Sequence, residues 1–252
     1  MSLGQLVISV VLIICLSLFS CNKTEDFQND YQYEYYPLDS GATVIYRMDS
    51  ININGNFKPL PAELDTFVFD IKEIVGDTFI DLEGEVAYNL WRFRKLSDDS
   101  VWGIPKRWHI KRTLNGLEMT EQNLRFVKLL FPPEEKGTWE GNQFITITDE
   151  QPELKYMEDW EEYTYKEVGV TGTVNGMNFG EILTVGQFAD SNRVEKIVSR
   201  EIYAKNVGMI YKEIYNLKAQ GAAAIALEDW NNSDKWTEDG FILKMRITSF
   251  KN

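Results

Sequence analysis

The stretch WHIKRTLNGLEMT, residues 108–120, decides the fold class of this chain. Apolar side chains recur at every second position before and after Asn115-Gly116. An alternation of period two is typical of half-buried strands. Asn-Gly is the dipeptide that best tolerates the two positive φ angles of a type I′ turn. The stretch therefore predicts a β-hairpin that turns at Asn115-Gly116.

The same alternation recurs from about residue 40 nearly to the C-terminus. Gly76-Asp77 and Asn175-Gly176 each predict a tight turn between two strands. The segment 125–131 is predicted to be a strand rather than the end of a helix, because it alternates and stops at Pro132-Pro133. The other predicted strands lie at residues 43–48, 66–75, 78–82, 87–95, 160–170, 179–185, 193–203, 209–217 and 241–250.

This pattern indicates an all-β fold. About eleven to thirteen strands with short turns and no alternating helices predict an antiparallel meander. Such a sheet is expected to form a barrel or a strongly curved half-barrel, because closure removes the exposed edges that invite aggregation. No linker rich in Pro, Gly or Ser divides the body of the chain. Residues 31–252 are therefore predicted to form a single β-rich domain.

The charge balance excludes one class of function. The chain has 26 Lys and Arg against 39 Asp and Glu, and its formal net charge is −13. Nucleic-acid binding draws most of its affinity from basic side chains that neutralise phosphates. We therefore predict that the protein does not bind nucleic acid.

Few residues indicate catalytic or metal chemistry. His109 is the only histidine, and it lies between apolar neighbours in a predicted strand. A metal site needs more ligands, and a Ser-His-Asp arrangement would depend on this residue alone. The sequence has no glycine-rich phosphate loop and no nucleophile elbow. We expect a structural role for His109, and we predict no catalytic residue, metal or cofactor.

Two tryptophan-containing segments have alternative interpretations. Acidic residues surround Trp160 at 158–162, where an indole and carboxylates could together bind a sugar, and a carboxylate pair could hydrolyse a glycoside. We favour a solvated segment with one buried indole. Trp230 and Trp236 lie in the least strand-like part of the body, residues 220–240. They are predicted to pack over an end of the barrel, either as a functional lid or as a structural cap.

The N-terminus begins with an uncharged apolar run at residues 6–19. Its length, about 14 residues, is too short to span a bilayer, which needs roughly 20. The run ends in Leu18-Phe19-Ser20-Cys21 and gives way to polar residues. This arrangement resembles the lipobox signal peptide of bacterial lipoproteins, and the polar segment after Cys21 resembles that of Bacteroidota lipoproteins.

The resemblance implies a location and an anchor. Residues 1–20 would be the signal peptide, and residues 21–30 the acylated Cys21 with a flexible tether. The protein would be an outer membrane lipoprotein that faces the periplasm or the cell surface. Both cysteines, Cys15 and Cys21, lie in this N-terminal segment, so no disulfide is predicted in the body. The triplets 49–51 and 99–101 resemble a Bacteroidota O-glycosylation motif, with Ser50 and Ser100 as candidate acceptors.

Three functions remain open at this level. The first is a non-enzymatic envelope protein whose curved sheet binds an apolar or amphiphilic ligand, such as a lipid, in a cavity. The second is a protein-interaction or scaffold module for an envelope partner. The third is a glycan-active enzyme that depends on carboxylates. An apolar cavity would favour the first, and a filled core would favour the second.

The lipid anchor can be tested directly. Replacing Cys21 with Ser removes the thiol that would be acylated, so the protein should move from the membrane fraction to the soluble envelope fraction. Fractionation followed by immunoblotting measures this change, with Cys15→Ser as the matched control. A Cys21→Ser protein that stays as firmly membrane-bound as the parent would contradict the lipoprotein prediction.

Overall fold

A computed structural model describes residues 30–54, 63–96, 101–219 and 238–252. Cys21, Ser100, Trp230 and Trp236 lie outside these residues, so the predictions made for them are unaffected. Residues Tyr31–Asn252 form one compact unit that contains every described strand. Among the described residues, none of the helices has the length and apolar character needed to cross a membrane.

The described residues form twelve strands in one antiparallel sheet, which confirms the all-β meander. The sheet order is β6-β5-β4-β3-β2-β1-β12-β11-β10-β9-β8-β7. Each described strand pairs with the strand that follows it in the sequence, except that β6 does not pair with β7. In addition, β1 pairs with β12. The strands are β1 (Thr43–Asn54), β2 (Glu63–Ile80), β3 (Val86–Lys95), β4 (Lys106–Arg112), β5 (Gly116–Glu121), β6 (Leu124–Leu130), β7 (Thr138–Trp139), β8 (Tyr163–Val174), β9 (Met177–Ser191), β10 (Glu195–Ala204), β11 (Gly208–Lys218) and β12 (Asp239–Lys251).

The hairpin of β4 and β5 is present, but its turn differs from the prediction. Gly116 already belongs to β5, where it pairs with Leu130. Neither Asn115 nor Gly116 has a positive φ, and the Thr113 N–H donates to the Gly116 carbonyl at 2.9 Å. The prediction of a type I′ turn at Asn115-Gly116 is therefore wrong. The Asn175-Gly176 turn is confirmed, with φ of 50° and 78° at the two residues.

The tight turn predicted at Gly76-Asp77 is also wrong, because β2 continues through it. The register between β2 and β3 shifts between Val75 and Thr78, which marks a β-bulge. A Cβ at Gly76 would lie 2.6 Å from Nε1 of Trp91, so the glycine admits this indole. The Asn89 amide donates to the Asp77 carbonyl and carboxylate at 3.2 and 2.9 Å. Asn89 thus holds the bulge in place.

The two ends of the meander meet and nearly close the barrel. The Val127 N–H donates to the Gly141 carbonyl at 2.8 Å, and the Trp139 indole donates to the Val127 carbonyl at 2.8 Å. The Tyr165 hydroxyl accepts from the Leu130 N–H at 2.8 Å and donates to the Leu130 carbonyl at 2.6 Å. We call these four hydrogen bonds the seam. They occupy edge groups that would otherwise be unpaired.

The segment just before β1 packs across one end of the barrel. A short 3₁₀ helix, Tyr33–Tyr35, places the Tyr35 ring at the core with no exposed surface. The Tyr33 hydroxyl donates to the Leu114 carbonyl in the β4–β5 turn at 2.7 Å. The Asn206 N–H, in the β10–β11 turn, donates to the Glu34 carbonyl at 2.7 Å. The segment therefore bridges opposite sides of the sheet.

Replacing Tyr165 with Phe should destabilise the barrel at the seam. The ring stays buried, but the N–H and the carbonyl of Leu130 both lose their partner. Each of these part-buried hydrogen bonds contributes about 0.5–1.5 kcal/mol to the free energy of unfolding. Urea unfolding measures the loss. Tyr88→Phe is the control, because the Tyr88 hydroxyl in β3 is half-buried and has no hydrogen bond to another described residue. Equal losses in both variants would show that the seam contributes nothing.

Candidate functional site

The barrel contains a cavity of about 440 Å³. Small-molecule sites usually occupy about 300–1,000 Å³ and combine apolar walls with a few polar groups. The described part of the wall comes from strands all around the barrel and from the segment before β8. Some lining residues are fully buried, whereas Lys106 and Ile104 are exposed. The wall therefore runs from the centre of the barrel to its surface, and we call the exposed part the mouth.

One side of the wall is apolar. Met48 in β1 pairs with Met245 in β12 and with Phe69 in β2, so the three side chains project from the same face of adjacent strands. Alternation of period two directs this face inward. Methionine is flexible and polarisable, which suits a surface that adapts to different apolar shapes. The other apolar residues of this side are Ile71, Met209, Ile214 and Leu243.

A short segment before β8 covers part of the cavity. The 3₁₀ helix Pro152–Met157 brings Tyr156 against Trp160 and Phe241, with ring centroids 5.4 and 5.1 Å apart. Trp160 is 3% exposed and stacks on Phe188. The acidic residues that flank Trp160 are exposed. The structure therefore has the favoured arrangement, a solvated segment with one buried indole, and this indole lines the cavity.

Beside this apolar surface, the wall carries a buried ionic cluster. The Glu201 carboxylate has no exposed surface and pairs with Nζ of Lys128 at 3.0 Å and Nζ of Lys212 at 2.9 Å. It also accepts a hydrogen bond from the Tyr203 hydroxyl. Lys128 makes a second ion pair with Glu121 at 2.9 Å. We call these five residues the ionic cluster. All of them line the cavity.

The cluster favours the charged forms of Glu201, Glu121 and Lys128. Burial works against the ionised form of Glu201, but Lys128 and Lys212 outweigh it and hold the pKa of this carboxyl well below its usual range. Burial also works against the charged form of Lys128, yet Glu121 and Glu201 raise the pKa of its ammonium well above the ordinary value. The pKa of Glu121 is lowered for the same reason, because Lys128 and Lys212 overcome its burial.

A second ion pair lies near the mouth. Arg92 pairs with Glu73, stacks over the Trp108 ring at 4.3 Å and approaches the Met245 sulfur at 3.4 Å. Burial raises the pKa of Glu73 despite Arg92. Glu73 is therefore the acidic group of the wall that accepts a proton most readily. Its partner Arg92 connects the charged side of the cavity to the apolar side.

Ser50 and His109, which the sequence also singled out, do not line this cavity. Ser50 is half-buried in β1, between Leu243 of β12 and Phe67 of β2. Its glycosylation stays a prediction. His109 packs against Phe79 at 4.9 Å, and burial followed by the Arg107 charge lowers its pKa. The structural role of His109 stays a prediction.

Sequence reasoning missed the ionic cluster, although a signal for it exists. Lys128 alternates with Phe126 and Leu130 on one face of a predicted strand, and Glu201 lies between Ser199 and Tyr203. A charge on a face that is otherwise apolar or aromatic predicts a buried charge that needs a partner. The sequence does not indicate which charge is that partner.

Comparisons with known proteins give a fold likeness. No protein-family model and no curated protein matches the chain. Among solved structures, the chain is similar to a crystal structure from Bacteroides fragilis, described as a candidate exported protein with a YmcC-like fold. The identity is 10% and the TM-score 0.40, and the alignment covers 86% of this chain and 98% of that one.

Replacing Glu201 with Gln should destabilise the protein strongly. The variant leaves Lys212 without its carboxylate and Lys128 with Glu121 alone. Removing one partner of a buried ion pair costs about 3–5 kcal/mol. Urea unfolding at neutral pH measures this loss. Glu181→Gln is the control, since it removes the exposed ion pair with Lys205, which should cost less than about 1 kcal/mol. A similar, small loss in both variants would contradict the role of the cluster.

The same cluster predicts a sensitivity to acid. The folded-state pKa values of Glu201 and Glu121 lie below the unfolded value of about 4.3, so their stabilisation is complete above that pH and is lost as the pH falls. Urea unfolding between neutral pH and about pH 3 should therefore show a steeper decline for the parent protein than for Glu201→Gln. Parallel declines would show that Glu201 does not titrate as argued.

Proposed function

We propose that this protein is a non-enzymatic lipoprotein of the cell envelope that binds an amphiphilic ligand inside its barrel. The observation that carries the proposal is a cavity of about 440 Å³ whose wall has both apolar and charged residues. A ligand with an apolar chain and a polar head would contact residues of both kinds at once. The N-terminal Cys21 would hold this binding domain at the membrane, where amphiphiles are concentrated.

The size and chemistry of the wall support a ligand rather than a filled core. Burying apolar surface contributes about 25 cal/mol per Å². Met48, Phe69 and Met245 offer such surface together, and methionines adapt to chains of different shape. An interaction module could use the outer face of the same barrel, but it would not need an internal space of this volume.

The charged side supports binding rather than catalysis. A glycoside hydrolase needs one carboxyl group that donates a proton and a second that acts as base or nucleophile. Here Glu201 and Glu121 are engaged by Lys128 and Lys212, and Glu73 is engaged by Arg92. Within the wall, each of these carboxylates and its basic partner neutralise each other's buried charge. This arrangement favours the binding function over the glycan-active alternative.

Filling the cavity should abolish the binding of envelope lipid. Residues 22–252, which include the whole compact unit, are incubated with a total lipid extract of the source envelope and freed of unbound lipid. Native mass spectrometry should then record one bound amphiphile per chain. Leu124→Trp places an indole in the cavity wall and should give an apo mass.

The control for this experiment is Leu114→Trp. Leu114 lies in the β4–β5 turn, is 62% exposed and does not line the cavity, so its variant should retain the lipid. Urea unfolding establishes that both variants are folded before binding is compared. An apo mass for the parent protein, or a complex that Leu124→Trp leaves intact, would overturn the proposed function.

A further inference from the structure

We infer that the ligand carries an anionic head, a carboxylate or a phosphate, and that Arg94 and Lys106 hold this head at the mouth of the cavity. The inference rests on the proposed function and names the class of ligand. Both residues line the cavity and both are exposed, so a head bound there would stay partly hydrated. The apolar chain would then extend inward along the wall.

The first observation is the charge of the wall. The described lining residues include more cations than carboxylates. The cations are Arg92, Arg94, Lys106, Lys128 and Lys212, and the carboxylates are Glu73, Glu121 and Glu201. The wall is therefore cationic in a chain whose formal net charge is −13. A cleft with charge of one sign and low-dielectric walls focuses its field on ligands of the opposite sign.

The second observation is where the excess charge lies. Inside the barrel, Lys128, Lys212 and Arg92 are matched by the three carboxylates of the wall. Arg94 and Lys106 make no ion pair with any other described residue. Among the described lining residues, the unbalanced charge therefore lies on these two side chains, and both belong to the mouth.

The third observation is the register of β3 and β4. Lys106 pairs directly with Arg92, and Arg94 lies two positions further along β3 on the same face. Like charges placed opposite each other on neighbouring strands are destabilising. Glu73 neutralises Arg92 alone, so the group of three cations retains an excess of two. A bound anion would offset this repulsion with charge-assisted hydrogen bonds.

The surroundings of the two cations suit the start of an apolar chain. The Arg94 guanidinium lies over the Phe69 ring at 3.8 Å, which places the charge beside the apolar side of the wall. Trp108, two residues beyond Lys106 in β4, lines the same cavity. A head at Arg94 and Lys106 would therefore lead directly to Phe69, Trp108 and Met119. A free anion would use only the mouth, whereas an amphiphile would use both parts.

Displacement of a neutral fluorescent probe tests the inference. N-phenyl-1-naphthylamine is bound to residues 22–252 and displaced with decanoate, decyl phosphate, decanol, decyltrimethylammonium or inorganic phosphate. Decanoate and decyl phosphate should displace it at concentrations about tenfold lower than decanol, because each gains charge-assisted contacts. Decyltrimethylammonium should be the weakest of the amphiphiles. Added salt should weaken the binding of the two anionic amphiphiles and leave the binding of decanol unchanged.

Variants of the mouth identify the residues. The double variant Arg94→Gln with Lys106→Gln should lower the affinity for decanoate and decyl phosphate about tenfold. It should leave the affinity for decanol unchanged. Arg107→Gln is the matched control, because Arg107 follows Lys106 in β4, is exposed and does not line the cavity. It should leave every affinity unchanged. Both cations are exposed, so the double variant is expected to fold, and urea unfolding checks this.

The outcomes separate the inference from the function on which it rests. The inference of an anionic head is wrong if decanoate and decanol displace the probe equally well. It is also wrong if Arg107→Gln lowers the affinity for decanoate as much as the double variant does. In both cases the proposed binding function is retained. If neither the probe nor any amphiphile binds, the proposed function fails. If inorganic phosphate displaces the probe as well as decyl phosphate does, the site recognises a free anion, and the proposal of an amphiphilic ligand is wrong.

Discussion

The ion pair between Lys128 and Glu201 is the constraint on which the rest of this structure depends. Lys128 belongs to β6, at one edge of the described sheet, and Glu201 belongs to β10, the fourth strand from the other edge. The pair therefore crosses the barrel and joins strands that share no backbone hydrogen bond. A one-residue slip of β10 would turn Glu201 to the other face of the sheet and leave Lys128 buried without this partner. The barrel can close in only one register without that cost.

The cluster also explains why the barrel contains a cavity. Buried charges need partners on several sides, and here Lys212, Tyr203 and Glu121 provide them. A buried ion loses several kcal/mol of hydration, which its partners must offset. Groups held in this geometry cannot rearrange to fill neighbouring space as an aliphatic core would. The space beside the cluster is bounded by methionines and aromatic rings.

Sequence reasoning predicted the strands better than the turns and missed the ionic cluster. Alternation identifies a strand because it reports which face is buried, and this property is local. A turn also depends on where the neighbouring strands begin, which is why Asn175-Gly176 forms the predicted turn and Asn115-Gly116 does not. Gly76-Asp77 has the composition of a turn, but it accommodates the Trp91 indole from another strand. Lys128 and Glu201 are 73 positions apart, and barrel closure alone brings them together.

The charge of the cavity acquires its meaning from the charge of the whole protein. A chain of net charge −13 repels anions overall, and this repulsion is screened over about 10 Å in ordinary salt. An anionic amphiphile that adsorbed weakly to apolar surface elsewhere would therefore be disfavoured, whereas Arg94 and Lys106 would attract it at close range. Specificity of this kind combines one attractive site with a repulsive surface. The ionic cluster strengthens the contrast, because by neutralising the interior charges it confines the excess positive charge to the mouth.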